Sequence, residues 1–223
     1  EKFSVSMVNR KKTMYYLKHI WLKARYSSFF HLIFDGLGRI GIRINPYYVV
    51  LEGLFNGSLP HLETGFDEYD IGFLRPQDMR AISAIPGRNI SEEKLLLRLK
   101  EGKKCFGIKY RGKLVAFSWC DLNEYTIGRH RFSLKENEAY LVDAYTLIPF
   151  RGKGIAPYIR YQLYKELAKS GRNKLYSISE CVNTPSIRFK KKLNAKVIEL
   201  DLYVRLFKKW HFNSRLRRYR VEI

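Results

Sequence analysis

The run Arg151-Gly152-Lys153-Gly154-Ile155-Ala156 has the composition of an anion cradle. It follows a β-rich stretch, Ala139–Ile148, and opens a segment in which Ile155, Ile159, Leu163 and Leu167 recur every four positions. A strand that ends in a glycine turn and opens a helix presents unpaired N–H groups and the positive end of the helix dipole, a field suited to phosphate. Gly152 and Gly154 let the backbone approach closely, Arg151 and Lys153 add charge, and the small Ala156 keeps the first helical turn clear. A turn that merely connects strand to helix has the same letters, so the loop needs a second motif to carry meaning.

Proton transfer is the other chemistry on offer. Asp143 lies inside the first β-rich stretch and Glu180 near the end of another, Leu175–Val182. Either carboxylate, directly or through water, could take the proton of an attacking group. Each also has a plain structural reading: Asp143 paired with a neighbouring Arg or Lys, Glu180 facing solvent. Tyr145 shares the strand face of Asp143 by two-residue alternation and could line the same cleft, or simply pack. Cys181 has no histidine near it in sequence and reads as a small core hydrophobe. Histidines at 19, 31, 61, 130 and 211 and cysteines at 105, 120 and 181 form no ligand cluster, so no metal site is expected.

Arg151, Gly154 and Ala156 after a strand match the signature Arg/Gln-x-x-Gly-x-Gly/Ala, and Asn183-Thr-Pro-Ser186-Ile-Arg-Phe189-Lys-Lys-Lys192-Leu-Asn-Ala195 sets an Asn at a strand end before a short helix. With this pair of motifs the sequence resembles the GNAT superfamily of N-acetyltransferases over residues 67–207. The resemblance implies acetyl-CoA or another acyl-CoA as co-substrate, with its pyrophosphate at Arg151–Ala156 and further cofactor contacts from Asn183 and Ser186. It implies a bulged fourth strand splaying from the fifth, with the pantetheine lying in the gap like an added strand and Leu147 and Ile148 making the backbone contacts. A strand N–H there would polarise the thioester carbonyl. Glu180, Asp143 and Tyr145 become the catalytic candidates. Two departures stand out: the helix position that often carries a Tyr acid is Lys190, and only Phe150 separates Pro149 from Arg151.

The elements that must position these residues are readable in outline. A strand at Tyr69–Leu74 precedes a helical stretch from Pro76; Ser91 caps a helix through Leu95-Leu96-Leu97; strands at Cys105–Tyr110 and Leu114–Cys120 join through Arg111-Gly112-Lys113. After the loop and its helix come the strand Leu175–Val182, a short helix Pro185–Leu193 and a strand region Ala195–Phe207. The expected fold class is α/β (α+β), a mixed, mostly antiparallel central sheet flanked by helices. Residues 1–65 read as a basic, aromatic extension with amphipathic helices, 66–207 as the acyltransferase domain, and 208–223 as a basic, exposed tail. Gly36-Leu-Gly38-Arg-Ile-Gly41 fits a dinucleotide fingerprint by letters, but the Ile42–Pro46 run after it offers no helix N-terminus.

The chain has 223 residues, 46% apolar and 15% aromatic, enough for one sizeable core. Its net charge of +21 and pI near 9.9 favour anionic partners: phosphorylated cofactors, an anionic membrane face or, less strongly, nucleic acid. Unclustered cysteines, no apolar run long enough to span a bilayer and no signal-peptide pattern lead to the expectation of a cytoplasmic protein, peripheral at the inner membrane face if the basic aromatic segments bind lipid. Three readings follow from these features. The first is an N-acyltransferase acting on an amine in a ternary complex; the second is a non-catalytic adaptor of the same fold; the third is a transferase with another donor, such as a longer acyl-CoA or aminoacyl-tRNA.

Overall fold

The computed structural model describes residues 36–54, 57, 68–127, 130–207 and 209–221. The amphipathic helices expected before residue 36 lie outside these residues.

Beyond the helical residues 36–39 and two short 3-10 turns, the described chain has β1 (Ile42–Glu52), β2 (Tyr69–Phe73), α1 (Met79–Ser83), α2 (Glu92–Lys100), β3 (Lys104–Tyr110), β4 (Lys113–Asp121), β5 (Glu124–Ile127), β6 (His130–Ser133), β7 (Glu138–Thr146), α3 (Ile155–Lys169), β8 (Lys174–Glu180), α4 (Thr184–Lys192), β9 (Lys196–Leu206) and β10 (Trp210–Arg218). Eight strands form one sheet in the order β10-β9-β1-β8-β7-β4-β3-β2, and β5–β6 form a separate hairpin. Among the described pairs only β7–β8 is parallel. The expected fold class is therefore the one found.

The core explains the layering. Strand β4 is buried on both faces from Val115 to Asp121 because helices cover each side. On one face Ile155, Ile159, Leu163 and Leu167 of α3 pack with Ile108, Val115, Leu141 and Leu175. On the other, Met79, Ile82 and Leu95 of α1 and α2 pack with Phe117 and Trp119. The four-residue repeat of α3 thus faces the sheet, and Ser91 caps α2 by accepting the Lys94 N–H.

Two features correct the expected organisation. A boundary at residue 65 would cut away β1, which lies inside the sheet between β8 and β9, with Tyr47↔Glu180 and Tyr47↔Asp201 in register. Pro46 argues against an interior strand because it cannot donate to a ladder. Here its carbonyl accepts the Cys181 N–H and its β8-facing side lies just beyond the end of β8, so no ladder bond is lost. The expected tail is also structured: residues 210–218 pair with β9 as the edge strand β10, though most of their side chains are exposed. Residues 36–39 are helical and Gly41 (φ 85°) turns the chain into β1, so the glycine-spaced segment leads into a strand.

Candidate active site

Strands β7 and β8 pair only from Glu138↔Lys174 to Leu141↔Ser177, although β7 continues to Thr146 and β8 to Glu180. The cause lies on the other edge of β7. Opposite β4 the register runs Trp119↔Val142 and then Phe117↔Tyr145, so Ser118 alone faces both Asp143 and Ala144. Asp143 takes up the extra residue at φ 52°, a left-handed conformation that Asp tolerates better than most side chains. Such a bulge bends its strand, and β7 leaves β8 from this point.

The backbone facing the gap is set by ladder alternation. Leu147 donates its N–H to Val115 and accepts at its carbonyl from Phe150, so both its polar groups are already engaged. The Ile148 carbonyl accepts from the Arg151 N–H within a short 3-10 turn, Ile148–Phe150. Residues alternating with Leu147 point the other way, which leaves Ala144 and the N–H of Thr146 on the open edge, the Thr146 carbonyl being taken by Arg151 Nε. Leu147 and Ile148, from which backbone contacts were expected, thus have these groups engaged within the chain.

At the end of the gap, Gly152 (φ 86°) and Gly154 (φ 75°) adopt the left-handed backbone that the turn requires, and Gly154 is the N-cap of α3. The N–H groups of Gly152, Lys153, Gly154, Ile155 and Ala156 have no acceptor among the described residues. Pro157 follows within the first turn, where its missing N–H costs nothing. Ile155 contributes only its backbone, since its side chain is buried in the core. Arg151 donates from Nε to the Thr146 carbonyl at 3.0 Å and lies over the Tyr145 ring, while Lys153 lies over Phe150. The loop is a row of free donors with two cations beside it.

The two candidate carboxylates are in different circumstances. Asp143 accepts from Arg88 at both oxygens (2.9 and 2.8 Å) and from Arg98 at 2.8 Å. Those guanidiniums also lie over Phe117, Tyr145 and Trp119. Because Arg88 touches both the Asp143 carboxylate and the Tyr145 ring, these two side chains do share one side of β7. Asp143 thus joins the α1–α2 unit to the bulge, the pairing role open to it from sequence. Glu180 is 44% exposed at its side chain, and its two contacts, from Asn45 at 3.1 Å and Arg43 at 3.8 Å, both fall on Oε1. Oε2 has no partner among the described residues. Alternation along β8 puts Glu180 on the face opposite Ser177 and Ser179.

Comparison with known families matches residues 74–195, more than half of the chain, to the Acetyltransferase (GNAT) family. The chain belongs to the GNAT acetyltransferase family. Among solved structures, an acetyltransferase from the GNAT family of Colwellia psychrerythraea is 18% identical with a TM-score of 0.54, covering 74% of this chain and 57% of its own. A putative GNAT acetyltransferase from Novosphingobium aromaticivorans is 17% identical at a TM-score of 0.51, with 74% and 66% covered. A Drosophila protein is 17% identical at 0.54, with 76% and 54% covered. At such identities the likeness is one of fold, and this chain spans under two thirds of each protein's length. No curated protein matches by sequence.

The GNAT departure at Lys190 has a structural explanation. Its ammonium is buried on α4, donating to Ser177 and Ser179 at 2.6 Å each and lying 3.5 Å from Glu52 of β1. Glu52 is fully buried, accepts from Tyr164 and Ser177, and lies 3.4 Å from Arg160 of α3. One negative charge cannot hold two cations equally in a dry core, and a guanidinium does not give up its proton. Burial, reinforced by Arg160 and only partly opposed by Glu52, accordingly lowers the Lys190 pKa from 10.5 to about 8. Burial works against the Glu52 charge too, but the two cations outweigh it and hold that carboxyl below its ordinary value.

Asn183 and Ser186 have local roles beside this cluster. Asn183 is the N-cap of α4, accepting the Ser186 N–H at 3.2 Å, and the Ser186 hydroxyl meets that of Ser179 at 3.0 Å. A hydrogen-bonded chain thus runs from the start of α4 through Ser179 to Lys190. Sequence reasoning missed Glu52 and Arg160 altogether. Their only signal was a lone carboxylate in the apolar run Val49–Leu54 and a lone arginine amid the apolar positions of α3. Among the described residues there is no group of three side chains suited to a metal ion, and no helix is long and apolar enough to cross a membrane.

Proposed function

We propose that this GNAT protein moves an acetyl or other short acyl group from CoA to an amine by direct attack in a ternary complex. The observation that carries this reading is the continuity of two features: the gap opened by the Asp143 bulge leads straight to the row of free N–H groups at Gly152–Ala156. An extended pantetheine pairs with Ala144 and the Thr146 N–H as an added strand would, and the pyrophosphate rests on the loop beside Arg151 and Lys153. Glu180 takes the amine proton at its open Oε2, directly or through one water, while Asp143 and its arginines keep the bulge in place. Tyr145, flanked by Arg88 and Arg151, lines the wall between bulge and loop. Lys190 is too enclosed to serve as the acid for the leaving thiolate, which leaves water to supply that proton. A cytoplasmic setting, where acyl-CoA is made and used, belongs to the same proposal.

Calorimetric titration with acetyl-CoA tests it. The wild type binds, and Gly154→Glu, which puts a side chain and a negative charge where the pyrophosphate rests, stays folded and does not. No binding by the wild type would overturn the reading.

A further inference from the structure

The half of the sheet farthest from β2 has two unlike faces. Register aligns Ile42, Leu206 and Trp210 across β1, β9 and β10, and next to them Ile44, Val204 and Phe212. By alternation this face is the one that carries Ser179, opposite Glu180. It runs out to an exposed end: Phe207 is 68% exposed, Ile40 63%, Trp210 57% and Phe212 53%. Gly41, next to Ile40 in the chain, lies against Phe207, whose Cα is 3.2 Å from where a Cβ on Gly41 would stand, so Ile40 and Phe207 belong to the same end. Between residues 202 and 221 there is no Asp or Glu, and there are seven Lys or Arg. Lys209 lies over the Trp210 ring, and Arg217 is exposed on β10.

We infer that the β9–β10 turn and the adjoining apolar face dock on an anionic lipid bilayer surface. Aromatic and aliphatic side chains enter the headgroup and acyl boundary while Lys and Arg meet anionic headgroups, the division of labour that this end of the sheet presents. A nucleic acid would use the cations and stack on aromatic rings, but it gives an aliphatic Ile40 nothing to do. Trp210 and Phe212 lie on the face opposite Glu180, so docking leaves the Glu180 side of the gap open. The inference does not depend on acyl transfer.

Sedimentation of the full chain with phosphatidylcholine vesicles, with and without phosphatidylglycerol, tests it. Binding is expected only with phosphatidylglycerol and should weaken as salt rises. Phe207→Ser with Trp210→Ser, and separately Lys209→Gln with Arg217→Gln, should each lower binding about tenfold or more. Because a double variant can misfold, the unmodified protein gives a second readout: brominated lipid should quench a part of its emission that Trp210→Phe lacks. Equal binding to both vesicle types, or bound protein with no Trp210 quenching, overturns the inference. Binding to duplex DNA without binding to vesicles overturns it in favour of nucleic acid.

Discussion

Glu52 and Asp143 each face two cations, Arg160 and Lys190 in one case and Arg88 and Arg98 in the other. Glu52 is wholly buried at the end of a paired strand, and its cluster joins β1 to α3, α4 and β8. Asp143 is 21% exposed on a bulge, with left-handed backbone, and joins α1–α2 to the edge of the gap. The same set of charges therefore fastens the sheet in one place and shapes a cleft in the other. What differs is access to water: a dry cluster depends on every member, while at a cleft solvent can replace part of what a side chain supplies.

The largest expected effect comes from breaking the dry cluster. Glu52→Gln leaves Arg160 and Lys190 buried without their counter-charge and should cost about 3–5 kcal/mol in denaturant unfolding. Adding Lys190→Met should recover part of that loss by removing one of the orphaned cations. A Glu52→Gln protein as stable as the wild type would show that β1 is held by its ladders alone.

A smaller effect separates the two cleft carboxylates. Glu180→Gln should lower kcat about 100-fold with little change in acyl-CoA affinity, as for loss of a general base. Asp143→Asn should act through position, costing about 1–3 kcal/mol of stability as the paired arginines lose their acceptor. Steady-state kinetics and unfolding measured on both variants decide the matter. If Asp143→Asn loses its chemistry while Glu180→Gln keeps it, the roles assigned here are reversed.

The same contrast shows what the residues announce in one dimension. The loop at 151–156 and the period of α3 were legible because their signals are local: glycines at a turn, apolar side chains every fourth residue. The strands from Tyr69 to Tyr110 emerged with boundaries close to those found. Strand β1 was hidden because Pro46 disguises it and its partners lie far along the chain, as Tyr47↔Glu180 illustrates. Strand β10 was hidden by basic composition, which reads as a solvated tail, and the β5–β6 hairpin by its short strands. The bulge at Asp143 leaves no local mark, since it arises from a mismatch in length between β4 and β7. Glu52 and Lys190 meet only because β1 inserts beside β8, and neither residue's surroundings foretell the other.

The smallest expected effect is a pH dependence that only the dry cluster should show. The folded-state pKa of Lys190, about 8, lies below the value of 10.5 that it regains on unfolding. Between those values the unfolded chain holds more protons than the folded one, so stability rises with pH in this window, by at most about 1.4 kcal/mol per pH unit. Buried thiols and a buried tyrosine act in the opposite sense at the upper end. Burial raises the Cys120 pKa from 9.0 to about 11, raises Cys105 and Cys181 too, and takes Tyr140 from 10.0 to about 12, so above about pH 9 the folded chain holds the extra protons and stability falls. The gain should therefore be visible from about pH 8 to 9 as a rise in the denaturation midpoint. Lys190→Met should abolish that rise while leaving the fall at higher pH intact. A rise that survives Lys190→Met would mean that a group other than this lysine sheds its proton on folding, and that the lysine keeps its charge inside the cluster through this range.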